Sequence, residues 1–465
     1  MRRYGFKTGL ALLICAACTE PGPPISDAGD FPYRVTPRGV RVHGRTRILV
    51  VPTRFAQGAP DPLTSTGIRD AFFGGADGGP VARNFWLASG LTFSLAGEVT
   101  SWVQSTVASS ELGLNGQVAP TREGDYVLQA MRGVDNVVDF GRYDNDGPDG
   151  FPNSGDDDGF VDGGIVVLNS DRNTHCGIPG SRGLHPHANT RWRDANNNAF
   201  PTLDAGAGAS QAPDSAPRRI KVGGYVVMGV QSCGTDIAAN VLTHELGHLL
   251  LGLPDLYHSV GGGTQVWEGR RWVVGCWELM AAGSGWGCGS GAPPPSGFDM
   301  STLGAWSRAT VGWTQPIVVP IARDSIYPLH PPSAGATILR VPVADSEYFL
   351  VEYRERGGSD LMPPANGVLI YHVDETLPIF PGITAPRRYR VRLMEADDAD
   401  GLIRTETEGG DRGGASDAFG ITRTSFATGT HSGALTTSGA PLPFAITEIT
   451  VDGAKHRATV RIKPN

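Results

Sequence analysis

The stretch Val241-Leu-Thr-His244-Glu245-Leu-Gly247-His248-Leu-Leu-Leu-Gly252-Leu-Pro254-Asp255-Leu-Tyr257 decides how this chain is read. On an α-helix, residues four apart lie one turn above each other, so His244 and His248 can aim a ring nitrogen at one ion while Glu245 flanks it. Two imidazoles beside a free carboxylate is the residue set of a zinc site with a general base, and it implies hydrolysis by a zinc-activated water. The flanking residues predict a helix over Ile237 to Leu251, capped by Asp236 and stopped by Gly252 and Pro254. A chain that turns back just after His248 brings a further ligand toward the ion. A catalytic zinc takes three protein ligands and keeps a fourth position for water, which makes Asp255 the first candidate and Glu278 the alternative.

Composition sets the compartment. The chain has 465 residues, 40% hydrophobic content, 64 glycines and 35 prolines, which suits two domains rich in turns rather than a helical bundle. The net charge of -8, with no run of Lys or Arg past the amino terminus, argues against nucleic-acid binding. Arg2, Arg3 and Lys7 precede an apolar run from Thr8 to Ala17, the pattern of an export signal too short to span a bilayer. Cys15-Ala-Ala-Cys18 at its end resembles a bacterial lipobox, with Cys15 where Leu is usual. Lipidation at Cys18 would anchor the protein at the outer membrane or cell surface; plain cleavage would release it. A lipid anchor is the sole membrane association expected.

Residues 1–18 are therefore read as a signal peptide with a lipobox, 19–43 as a Pro/Gly-rich tether, 44–317 as the catalytic domain and 318–465 as a β-rich C-terminal domain. A buried strand is expected at Arg47–Pro52, an alternating one at Thr92–Val103, and further strands at Gly164–Leu168 and Gly224–Gly229. After Trp313 short strands and turn residues take over, through Ala458–Ile462. The segment from Asp139 to Asp162 holds eight aspartates in 24 residues. Spaced carboxylates on a glycine-rich loop suit calcium, with Asp144, Asp146, Asp158 and Asp162 as candidate ligands. Asp397, Asp398, Asp400, Asp411 and Asp417 form a weaker acidic group. Past the signal four cysteines remain, Cys176, Cys233, Cys276 and Cys288, an even number that reads as two disulfides in an exported protein. Three pairings are open; Cys276 with Cys288 would close a loop around Met280, and Cys176 with Cys233 would tie an upstream loop to the strand before the zinc helix.

These residues resemble the M6, or immune-inhibitor-A-like, metallopeptidases, secreted bacterial zincins grouped with the metzincins. The likeness rests on His244–His248 with Gly252–Tyr257, and continues through Phe85–Gly97, Tyr143–Gly147, Asp158–Asp162, Trp277–Gly283, Leu303–Trp313, Tyr348–Arg354 and Gly367–Asp374. It implies an α/β zincin-type, metzincin-like catalytic domain followed by a β-rich domain, zinc as cofactor, and protein or peptide substrates. It also implies Glu245 as general base and Met280 as the methionine beneath the metal. One departure bears on the metal. Metzincins place Gly seven and the third ligand ten residues after the first histidine; here Gly252 is eight and Asp255 eleven residues after His244. The extra residue turns the helix by about 100°, so Asp255 reaches the ion only through a bulge or a wider turn. Tyr257, His185 and His187 are candidate oxyanion or supporting groups. Two other readings are an exported binding or adhesion protein on an inactive protease fold, opposed by the intact His244/Glu245/His248 set, and a zinc hydrolase of a non-peptide bond.

Overall fold

The computed structural model describes residues 34–57, 63–74, 78–112, 120–172, 186–192, 198–207, 218–231, 237–261, 266–285, 288, 298–358, 360–382 and 387–465. The chain is mixed α/β. Strands β1 (Gly44–Arg54), β2 (Phe93–Val99), β3 (Val103–Gln104), β4 (Ile165–Arg172), β5 (His187–Asn189), β6 (Phe200–Ala205), β7 (Arg219–Val222) and β8 (Tyr225–Gln231) occupy the first half. Six form one sheet in the order β2-β1-β4-β8-β5, with β3 also on β1, while β6 and β7 pair separately. The sheet is parallel except for β5, which runs antiparallel to β8 at its edge.

Both faces of that sheet are covered at its centre, which explains why β1, β4 and β8 read as nearly continuous apolar runs. Ile48, Val50, Val166, Leu168, Val226 and Met228 face α1 (Ser65–Phe73), α2 (Pro80–Ala88) and α4 (Ala239–Leu249). Leu49, Val51, Ile165, Val167 and Val227 face α3 (Pro120–Val134).

The motif helix α4 is shorter than the sequence suggests. It starts at Ala239 with Ala238 as N-cap and no side-chain cap, and Asp236 lies outside the described residues. Every residue of it but His248 is buried, so apolar packing, rather than capping, sets its extent. It ends in a widened turn. Gly252, at φ +67°, donates its N–H to His248 O at 3.1 Å, and Leu253 N–H reaches back six residues to Gly247 O at 3.1 Å. A φ of this sign costs a side-chain-bearing residue energy that glycine avoids.

The segment beneath α4 closes against it. Met280 is fully buried, and a Cβ on Gly247 would come within 2.4 Å of its Sδ. The glycine inside the helix is therefore needed for close packing, at the expense of helix propensity. Met280 O also accepts from Leu256 N–H at 2.7 Å, joining this floor to the turn after α4. A disulfide between Cys276 and Cys288, one of the pairings left open by the sequence, closes the loop around Met280; Cys18, Cys176 and Cys233 lie outside the described residues.

After β9 (His258–Ser259), β10 (Arg270–Arg271) and α5 (Ala305–Val311) the strands pair antiparallel, except for a short parallel pair at one sheet edge. Strands β11 (Ile317–Val318), β12 (Ser325–Leu329), β13 (Ile338–Pro342), β14 (Glu347–Arg354), β15 (Gly367–Asp374), β16 (Val391–Leu393), β17 (Phe444–Asp452) and β18 (Arg457–Pro464) form two sheets, β11-β13-β14-β15-β16 and β12-β18-β17. Alternation along β14 and β15 splits their side chains. Phe349, Val351, Val368 and Ile370 pack on the three-stranded sheet, whereas Leu350, Leu369 and Tyr371 join the core that holds α4. The hydrophobic core is thus continuous across residue 317.

On that inner face lies a buried ionic group. Glu352 contacts Arg308 and accepts from Tyr371 OH at 2.7 Å. Arg354 donates to Asp360 at 2.6 and 2.8 Å and to Trp277 O at 2.6 Å. All are sealed from solvent, so removing one partner strands a charge in low dielectric.

Two stability outcomes are expected. Glu352→Ala costs about 3–5 kcal/mol, because Arg308 and Arg354 lose their shared carboxylate; chemical denaturation reads this, and a midpoint near that of the parent protein refutes it. Gly247→Ala costs about 1–3 kcal/mol through overpacking, and Met280→Ala in the same chain recovers part of that loss. Additive effects of those two changes would rule out the contact as the cause.

Candidate metal centre

Four pieces of chain converge on one cleft of about 570 Å³: α4, the turn from Gly252 to Tyr257, the edge strand β5, and a hairpin tip at Arg38. His244, Glu245, His248 and Asp255 all line it. The widened turn after α4 absorbs the extra residue in the motif, and so Asp255 comes round to the two imidazoles.

Each imidazole is fixed from behind. His244 Nδ1–H donates to Leu279 O at 2.9 Å, and His248 Nδ1–H donates to Leu253 O at 2.6 Å. That leaves both Nε2 atoms as lone-pair donors facing the cleft. His244 Nε2 lies 3.0 Å and His248 Nε2 3.2 Å from Asp255 Oδ1, and the two Nε2 atoms lie 3.2 Å apart. Ligands bound tetrahedrally at about 2.0–2.1 Å from a zinc ion sit about 3.3–3.4 Å from one another. The triangle fits that geometry.

Without a cation the three groups share protons instead. Burial alone would depress the His248 imidazole, but Asp255, through its hydrogen bond and charge, outweighs it and pushes His248 up to about 9. Burial would raise Asp255, yet the two imidazoles hold it well below the ordinary carboxylate range. Three lone-pair-bearing atoms this close repel unless positive charge sits among them, as protons or as a cation.

Glu278, the alternative ligand, lies elsewhere. Its buried carboxylate accepts from Gly304 N–H at 2.6 Å, Ser307 Oγ at 3.1 Å and Met280 N–H at 3.2 Å. It is a strut of the floor, and burial pushes it up to about 7. Tyr257 lines the cleft, its ring 6.3 Å from that of His244 and under the Arg270 guanidinium at 4.5 Å. His187 also borders the cleft, but its Nε2–H donates at 2.9 Å to Glu123 Oε1 on α3, across the sheet. It fastens the edge strand. His185 lies outside the described residues.

The acidic loop gathers Asp144, Asp146 and Asp162, whose ligand oxygens lie within 4.8 Å of one another. Asp158 is beside them but not among them; its Oδ1 accepts from Phe160 N–H at 2.8 Å. Asp144 is fully buried and neither of its oxygens has a hydrogen-bond partner. Burial, then the charges of Asp157, Asp158 and Asp146, push Asp144 up to about 8; burial, then Asp158, push Asp146 up to about 6. Burial likewise raises Asp162 well above its usual range. The second acidic group brings Glu395, Asp397 and Asp417 together. There the buried carboxylates are served by N–H groups of Gly401, Leu402, Gly414 and Trp277.

Sequence reading missed Arg38, assigned to a tether. The alternating Val40-Arg41-Val42 after Pro37-Arg38-Gly39 is a hairpin signal that could have found it. Among the described residues no helix is long and apolar enough to cross a membrane.

No curated protein matches the chain. The family model for the catalytic domain of the immune inhibitor A peptidases, M6, matches residues 80–314, from the first residue of α2 to just past α5, and so includes α4, the turn and the floor. With that match over just over half its length, the chain belongs to the immune inhibitor A peptidase M6 family.

Proposed function

We propose that this chain is an exported zinc-dependent endopeptidase. The observation that carries the reading is the triangle of His244 Nε2, His248 Nε2 and Asp255 Oδ1, with Glu245 in the same cleft. His244, His248 and Asp255 would hold the ion. A zinc ion there would supply Lewis acidity toward the scissile carbonyl and lower the pKa of the attacking water.

Glu245 is not a member of the triangle, so its carboxylate is available as general base. It takes the proton of the attacking water and returns it to the leaving amine. Leu279 O and Leu253 O keep each imidazole in the tautomer that presents Nε2. Among the described residues β5 pairs only with β8 and borders the cleft, so its outer edge can receive an extended peptide as an added strand. The same reading makes residues 44–317 a metzincin-like catalytic domain with Met280 under the metal, and 318–465 a β-rich domain. It also takes residues 1–18 as the export signal, with Cys18 as the lipid attachment point.

Calcium belongs to the proposal as a structural ion on the acidic loop. Asp144, buried with both oxygens unpartnered, supports this, with Asp146 and Asp162 beside it and Asp158 adjoining.

Glu245→Ala is expected to lower casein hydrolysis by at least about 10²–10⁴-fold while one zinc per chain stays bound. His244→Ala loses both. Asp255→Ala loses zinc by elemental analysis and Glu278→Ala keeps it; the reverse pair of results would overturn the ligand assignment. For calcium, melting of the Glu245→Ala protein removes self-digestion from the comparison. Calcium at 100 times its dissociation constant adds about 2.7 kcal/mol. A midpoint unchanged between millimolar calcium and a calcium-selective chelator would leave the loop without an ion.

A further inference from the structure

Residues 34–42 fold back on themselves. Thr36 N–H donates to Val40 O at 2.7 Å and Val42 N–H to Arg34 O at 2.9 Å, with Gly39 at φ +72° closing the turn. The tip is fastened on several sides. Thr36 Oγ1 donates to Leu250 O at the end of α4 at 2.8 Å, and Gly163 N–H donates to Arg38 O at 3.0 Å. The Asp146 carboxylate lies near Gly39, where an added Cβ would come within 3.3 Å of Oδ2. This brings Arg38 to the wall of the cleft that holds His244, Glu245, His248 and Asp255.

Among the described residues lining that cleft, Arg38 is the only lysine or arginine. It is half-buried, and its own bonding is poor. One guanidinium nitrogen reaches Thr190 O at 3.4 Å, and Nε is buried without an acceptor. Asp255 turns its Oδ1 toward the two imidazoles, and among the described residues it makes no ion pair with Arg38. A guanidinium is always charged and presents a planar fork of N–H groups that matches a carboxylate. Partly desolvated and short of acceptors, it gains more from an incoming anion than a surface arginine does.

We propose that Arg38 is a specificity-determining residue that binds a carboxylate of the substrate. The proposal rests on the peptidase reading above. The carboxylate has two possible sources, an Asp or Glu side chain near the scissile bond or the free carboxyl terminus of a short peptide.

The test uses purified zinc-loaded protein and paired fluorogenic peptides. One set exchanges Glu for Gln at each position flanking the cleaved bond, and the other compares free with amidated carboxyl termini. The parent enzyme should prefer the carboxylate member of a pair about tenfold or more in kcat/KM, as expected of a charge-assisted hydrogen bond. That ratio should fall toward one in Arg38→Ala, invert in Arg38→Glu, persist in part in Arg38→Lys, and shrink as salt rises. Each ratio is taken on a single preparation, so a partly folded variant does not distort it. A preference in the Glu/Gln set assigns a side-chain carboxylate; one in the amide set assigns the terminus. A parent enzyme that cleaves peptides with no carboxylate preference, or an Arg38→Ala variant that keeps it, overturns the proposal alone. A parent enzyme that cleaves no peptide overturns the peptidase reading, and this inference with it.

Discussion

Two backbone carbonyls, Leu279 O and Leu253 O, hold the imidazoles of His244 and His248 from behind. The helix supplies the spacing of the two rings, but it does not set their rotation about χ2 or their tautomer. A second hydrogen bond does that. Since the two acceptors sit on different segments, the floor below α4 and the turn beyond it, the site is only as well formed as the placement of those segments.

Much of the remaining structure keeps them in place. The floor is gripped by the Cys276–Cys288 disulfide, by Glu278 on Gly304 and Ser307, and by Arg354 of β14 on Trp277 O. An antiparallel sheet distant in sequence thereby supports the cleft through buried charge. Such groups add little net stability over an apolar core, but a buried pair tolerates few alternative arrangements. That intolerance suits a floor whose carbonyl must point at one ring nitrogen.

The acidic loop and the cleft are also neighbours. Asp146 lies near Gly39 at the hairpin tip, and the next residue back is Arg38 on the cleft wall. Carboxylates that burial and mutual repulsion push upward thus lie against the segment that shapes one side of the cleft.

What the sequence determined by itself is what local geometry determines. Residues four apart on a helix must share a face, so His244 and His248, with Glu245 beside them, were legible as one constellation, and the central parallel strands announced themselves as apolar runs. Those features need no knowledge of the rest of the chain. Which carboxylate joins the two histidines was a different kind of question. Asp255 arrives because the helix ends in a turn closed by a hydrogen bond that reaches six residues back, and Glu278 is turned away because Gly304 and Ser307, far along the chain, claim one of its oxygens and Met280 N–H the other. The start of α4 followed packing rather than a capping residue. The partner of Cys276, the place of Glu352 and Arg354 under the site, and the return of Arg38 to the cleft were likewise decided by tertiary structure. Each depends on contacts between segments tens to hundreds of residues apart, and no local periodicity encodes them.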